Sequence, residues 1–308
     1  MTATSAAHNP SLADQSRLGI LLVAGSAVTW SFGGAIARFI TLSDSWAIVF
    51  WRASFAATFL IAFMLWRDGA RGTLSLFRNM GWAGMGVALC FAIASTSFIV
   101  ALAHTTVANI LLMQAGVPLI AALLAWALFG ERVSATTWLA IAAVIGGVGI
   151  MVSSSLTGQV SPIGDGLALL ISIMFSIATV ITRRAAHVRM TPAVCLGALL
   201  AMAVSGALAG SYAVSLANGA WLFLFGAINL GMGLAMFATG ARLIPSALAA
   251  LVGTLEPVLG PVWVWLVHDE LPGPRTIIGG SVVFAALFLH LSIDWLRQRN
   301  RRNLPQTI

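Results

Sequence analysis

The sequence predicts an all-α polytopic membrane protein whose ten transmembrane helices form two five-helix inverted repeats. Three observations carry that prediction. The composition is too apolar for a fold solvated by water: 59% of residues are hydrophobic, 8% are charged and the mean hydropathy is +0.97, whereas soluble domains carry about 25% charged residues. Ten apolar runs are each long enough to cross a hydrocarbon core about 30 Å thick. The second half of the chain also repeats the first.

The first half supplies runs at 18–40, 46–66, 80–103, 106–129 and 134–153, and the second at 162–183, 191–213, 219–240, 245–267 and 274–295. The segments between them are too short for a soluble domain. The chain therefore divides into an N-terminal tail (1–17), a first repeat (18–153), a second repeat (154–295) and a basic C-terminal tail (296–308). Residues 1–16 are polar and the first run is as long as its successors, so no cleaved signal peptide is expected.

All 16 basic residues are arginine. The net charge of +7 could indicate nucleic acid, but the arginines cluster in tails and short loops between apolar runs. With a cytoplasmic N-terminus, Arg17, Arg67, Arg71, Arg78, Arg132, Arg183, Arg184, Arg189, Arg242, Arg297, Arg299, Arg301 and Arg302 all fall inside. Only Arg38 and Arg275 fall outside, the asymmetry that orients membrane proteins. Both termini are expected in the cytoplasm, and no nucleic-acid partner is expected. Arg52, within the second run, is expected to snorkel outward or to pair with a carboxylate. Cys90 and Cys195 lie in apolar runs and read as small packed hydrophobes.

Shifted by 139 residues, "ANILLMQAGVPLIAALLAWALFGE" (108–131) lies over the stretch ending "LAALVGTLEPVLGPVWVWLVHDE" (248–270). Ala108/Ala247, Leu112/Leu251, Pro118/Pro257, Trp126/Trp265 and Glu131/Glu270 coincide without a gap. A shift of 145 relates the first and sixth runs through Gly19/Gly164, Ser31/Ser176 and Arg38/Arg183. An odd number of helices per repeat makes the halves cross the membrane in opposite directions. Such inverted repeats characterise secondary transporters, with the substrate site near mid-membrane between them.

These residues resemble the ten-helix EamA-type branch of the drug/metabolite transporter superfamily. The likeness rests on "GVPLIAALLAWALFGE", its counterpart "LEPVLGPVWVWLVHDE" and "GSAVTWSFGGAIAR" in the first run, and covers nearly all of 18–295. His268-Asp269-Glu270 departs from the branch, which more often ends apolar–Gly–Glu. Within the branch the chain is most similar to exporters of amino acids and related metabolites, including the aromatic amino-acid exporters. The resemblance further implies that Glu131 and Glu270 order the short turns that follow them.

Pro118 and Pro257 cannot donate helix hydrogen bonds to the carbonyls of Gln114 and Gly253. Freed carbonyls in a membrane must find a partner inside the protein or at a wet cavity, so both prolines read as hinges near mid-depth. Glu256 has two readings: a structural pivot or interhelical bond, or contact with substrate or proton. Val117 holds its place in the first half, so any proton role is asymmetric. The candidate substrate cavity comprises Trp30, Ser31, Phe91, Ser95, Gln114, Phe175, Ser176, Asn229, Met232, Met236, Thr254 and Glu256. Aromatics, methionines and a few uncharged hydrogen-bonding groups suit amphipathic small molecules. Packing and interhelical bonding are the alternatives for each. Asn109, Trp126 and Trp265 read as belt or packing residues.

No Walker A loop, H-E-x-x-H or nucleophile elbow is present, so no enzyme activity, cofactor, metal site or catalytic residue is expected. The expected function is secondary export of small metabolites, amino acids foremost, by alternating access in a bacterial inner membrane. A non-transporting intramembrane enzyme or lipid-handling protein is the alternative. Expected partners are the small-molecule substrate and membrane lipid, with a monomer rather than a homodimer.

Overall fold

The computed structural model describes residues 12–156 and 161–302. The first repeat contains helix 1 (Leu12–Ser31, then Gly33–Phe39), helix 2 (Ser45–Asn79), helix 3 (Gly81–Leu102), helix 4 (Val107–Gln114, then Val117–Phe129) and helix 5 (Ala135–Leu156). The second contains helix 6 (Pro162–Arg184), helix 7 (Thr191–Leu208), helix 8 (Leu216–Gly240), helix 9 (Ser246–Gly253, then Leu255–His268) and helix 10 (Pro274–Arg302). Nine of these are long and apolar enough to span a membrane, and the two parts of helix 4, bent by 42°, together make the tenth. The ten spans form two inverted five-helix repeats. With an even number of spans, both ends of the described chain lie on one side, the terminal face; the helix 1–2 loop lies on the far face.

Helix 2 does not stop where its apolar run stops. It kinks at Gly69, whose φ of 70° suits a residue without a Cβ, and continues to Asn79. Beyond the kink Thr73, Leu76, Phe77 and Met80 turn inward while Arg71, Leu74 and Arg78 stay exposed. That is the stripe of an amphipathic helix. Helix 7 ends at Leu208, short of the expected 213, because the next residues tie the far face together. The Gly210 amide donates to Asp44 (2.9 Å), and Tyr212 donates to the Gly206 carbonyl. Asp44 also caps helix 2 by accepting from the Trp46 amide at 2.8 Å. The amides of Gly210 and then Trp46 hold the Asp44 carboxyl below its ordinary range. Helix 10 runs on to Arg302, past the expected end at 295.

The helix 4–9 correspondence extends to their ends. Gly130 caps helix 4 in the left-handed region (φ 63°), and Asp269 caps helix 9 there (φ 53°). The unusual Asp in His268-Asp269-Glu270 thus takes a glycine position, which aspartate tolerates better than most residues. Between helices 5 and 10, a methyl group on Gly147 would come within 2.7 Å of the Gly279 carbonyl oxygen. Glycines there let the two backbones touch.

Apolar packing differs between the two faces. Towards the far face one core joins the repeats, with Ala35, Val49, Ile99, Leu102, Val107, Ile110, Leu111, Leu222, Phe225 and Val264 in a single cluster. Towards the terminal face the packing is spread over several smaller clusters, two of which also cross between the repeats: Leu119, Val144, Leu251 and Leu287 join helices 4, 5, 9 and 10, and Met64, Phe91, Cys195 and Leu230 join helices 2, 3, 7 and 8. One group unites helices 1, 8 and 9 around Val23, Phe237 and Ala249, and others unite helices 3, 6 and 7 around Val87, Ile181 and Ala193 and helices 4 and 6 around Ala121, Ala125 and Val180.

Candidate functional site

Helices 1, 8, 2, 7, 3, 6, 4 and 9 pack in that order and close on themselves as a ring, while helices 5 and 10 pack against each other outside it. Side chains aimed at the ring's centre at mid-depth are the candidates for a site.

Three helices break there. Helix 4 breaks at Ala115–Gly116 and helix 9 at Thr254, positions related by the 139-residue shift, each just before its proline. Helix 1 turns at Phe32, and Asn229 of helix 8 serves the carbonyls exposed there. Its Nδ2 donates to Thr29 O (2.5 Å) and Trp30 O (3.3 Å). Asn229 lies in a π-helical stretch, Leu224–Met232, a form that often marks functional sites. Ser31 accepts from Trp263 Nε1 (3.0 Å), and its repeat counterpart Ser176 donates to Val117 O (3.2 Å). Both serines therefore stitch the first helix of one repeat to the fourth helix of the other.

Gln114 and Glu256 are different: nothing stitches them. Leu112 touches Gly280 of helix 10, Gly116 touches Val144 of helix 5, and Val117 receives Ser176 of helix 6. Gln114 therefore falls in the remaining sector, between helices 6 and 9. Leu111 packs on Gly260 of helix 9. Three residues further along helix 4 comes Gln114, and four residues back along the antiparallel helix 9 comes Glu256. Both steps lead towards the terminal face, so the two side chains share one depth on facing helices. The Gln114 Nε2 is buried without a partner. No hydrogen bond or ion pair reaches the half-buried Glu256 carboxylate among the described residues. Buried polar groups are seldom left so.

The other expected residues divide. Phe91 and Phe175 meet across helices 3 and 6 with ring centroids 6.5 Å apart, and Ser95 receives Arg52 Nη1 at 2.8 Å. Trp30 lies against Phe237 and Gly233 in the helix 1–8 seam, with Nε1 buried and unpartnered, and Met236 packs on Gly25 in the same seam. Met232 is half-buried on helix 8. Thr254 turns back on its own helix, donating to Leu251 O (2.6 Å).

Several expectations are corrected. Arg52 neither snorkels nor pairs with a carboxylate: it is 8% exposed, and no acidic group reaches it among the described residues. Asn109 takes the packing alternative: it is buried, donating to Asp165 (2.5 Å) and Thr105 (3.1 Å). Trp126 and Trp265 are about half exposed, as belt residues would be.

Glu131 and Glu270 bond across helices rather than along their turns. Glu270 accepts from Arg38 Nε (2.8 Å) and from the Val107 amide that opens helix 4 (2.8 Å). Arg38 also reaches the carbonyls of Leu102 (2.8 Å) and Thr105 (3.3 Å) at the end of helix 3. Helices 1 and 9 are thus clamped to helices 3 and 4 at the far face. At the terminal face Glu131 meets Arg183 (3.5 Å) and Arg184 (3.6 Å). These counterparts join only helices 4 and 6, and the arginines are 60% and 49% exposed against 30% for Arg38. The aligned pairs Arg38/Arg183 and Glu131/Glu270 had signalled this arrangement; the step missing was to cross the repeats.

Ten spans in inverted halves, broken at mid-depth around unpartnered polar groups, define a membrane transporter of the drug/metabolite type. The chain belongs to the EamA-like transporter family, whose model matches residues 17–153 and again 162–292. A solved structure titled only "Crystal structure of protein" is similar in fold, with a TM-score of 0.61 at 18% identity over 91% of this chain and 98% of that one. No curated protein matches.

Proposed function

We propose that the protein exports small amphipathic metabolites, neutral and aromatic amino acids foremost, across a bacterial inner membrane with both termini in the cytoplasm. The observation that carries this is the placing of Gln114 and Glu256 at one depth on facing helices, each without a partner among the described residues. An amide donor suits a substrate carboxylate or carbonyl, and a carboxylate suits an ammonium group. Phe91 and Phe175, on helices 3 and 6 next to helix 4 in the ring, offer apolar surface. Because Glu256 forms no interhelical bond among the described residues, substrate or proton contact fits it better than a structural cap; the pivot role passes to Pro257.

The unequal faces support a reading of alternating access. One core and the Glu270 clamp hold the far face, while the terminal face has smaller clusters and the longer, more exposed pairs of Glu131. A tighter far face supports an inward-facing reading. Applying the repeat shift to the clamp gives its opposite state: Glu131 accepting from the Ser246 amide at the start of helix 9, 139 residues on from Val107. Rocking the two inverted halves would exchange one clamp for the other.

The test is flux of a radiolabelled amino-acid panel in proteoliposomes, with and without a pH gradient. Saturable flux of at least one neutral amino acid is expected, with Glu256→Gln abolishing its acceleration by pH. Chemical conversion without flux would replace this reading by an intramembrane enzyme.

A further inference from the structure

Arg52 stands seven residues into helix 2, about 10 Å along the helix from Ser45 at 1.5 Å per residue. Helix 2 packs mainly on helices 7 and 8, yet this side chain reaches between helices 8 and 3. Nη1 donates to Ser95 Oγ of helix 3 at 2.8 Å. The guanidinium carbon lies 4.3 Å from the ring centroid of Phe225 on helix 8 and 5.8 Å from that of Phe98 on helix 3. Helices 3 and 8 are separated in the ring by helices 2 and 7, so a group touching both lies inside it. Nε is buried and has no acceptor.

A guanidinium does not lose its proton in a protein. Burying one without a counter-charge is costly, and ring faces with a single hydroxyl offset only part of that cost. Its planar fork matches a carboxylate, which takes two parallel N–H groups. Here Nε is free, and Phe225 and Phe98 flank the fork with apolar surface.

We propose that Arg52 is the anchor for a substrate carboxylate, making the exporter selective for amphipathic carboxylates over the corresponding amines. Ser95 orients the guanidinium, and the two phenylalanines pack the apolar part of the carboxylate's carrier. The proposal rests on the exporter reading and names its substrate class.

The test uses full-length protein in proteoliposomes and three acid–amine pairs: phenylalanine and phenethylamine, leucine and isoamylamine, methionine and 3-(methylthio)propylamine. The wild type should move the acids and not the amines. Arg52→Gln should raise KM for the acids about tenfold to a hundredfold, the range set by losing a charged hydrogen-bonding group. Arg52→Lys, which keeps the charge and loses the fork, should fall between. Equal handling of acids and amines by the wild type overturns the proposal, as does an unchanged KM in a folded Arg52→Gln. If Arg52→Gln does not fold, Arg52→Lys and the wild-type acid–amine contrast decide. If nothing in the panel is moved, the exporter reading fails, and Arg52 is judged by thermal shift with 3-phenylpropionate. A rise in Tm lost in Arg52→Lys supports the anchor; no rise overturns it.

Discussion

Replacing Glu270 by Gln should tip the protein towards its outward-open form. Glutamine still accepts from the Val107 amide but loses the charge that holds Arg38 at 2.8 Å. A hydrogen bond between charged groups contributes about 1.5–3 kcal/mol. With side chains 30% and 18% exposed, solvent screening takes this pair to the low end, about 1.5 kcal/mol. That corresponds to roughly a tenfold change in the ratio of the two states. Glu131→Gln acts on pairs of 3.5 and 3.6 Å that are more exposed and join only helices 4 and 6, so it should shift the ratio at most about threefold. The assay places a cysteine at Leu111, below the clamp, in a background lacking Cys90 and Cys195, and times its reaction with an impermeant maleimide added outside cells. Glu270→Gln should accelerate labelling about tenfold, and Arg38→Gln added to it should do little more. Unchanged labelling in Glu270→Gln, or an equal rise in Glu131→Gln, would refute the clamp.

Pro257→Ala should let the amide at 257 donate to the Gly253 carbonyl and slow transport, raising Tm only slightly because proline is tolerated in the first turn of Leu255–His268; unchanged flux would deny the hinge. Asp269→Gly should stabilise by roughly 0.5–1 kcal/mol by removing a Cβ from a left-handed position, visible as a higher Tm, whereas Asp269→Val should lower it. Asp44 has a depressed folded pKa, so its stabilisation is complete above the ordinary carboxylate range and fades as pH falls through it. Thermal melts between pH 7 and pH 3 should therefore fall more steeply for the wild type than for Asp44→Asn, and parallel curves would contradict the Gly210 tie.

The spans were legible because twenty apolar residues leave little choice in a membrane, and the breaks in helices 4 and 9 because proline chemistry is local. The helical segment after Gly69 was hidden by its arginines, although Thr73, Leu76, Phe77 and Met80 already showed helical spacing. Site residues were harder. Ser31, Ser176 and Asn229 carry the same groups whether they bond to helices or to substrate, and only packing separates the two uses. Arg52 shows the limit most plainly: its position gave its depth, but its direction depends on helices 3 and 8, far away in the chain. The π-helical register of helix 8 left no periodic mark to read.

Each clamp takes its arginine from one repeat and its glutamate from the other. Had a single five-helix chain once paired with an inverted copy of itself, one arginine and one glutamate would have written both clamps, and every substitution would have struck both faces at once. No such chain could favour one orientation of its gate. Fusing two copies separates the two sets of letters, so that one face can hold a short, capped bond while the other keeps a long, exposed one. The relative strength of the two faces becomes something point mutations can adjust one face at a time.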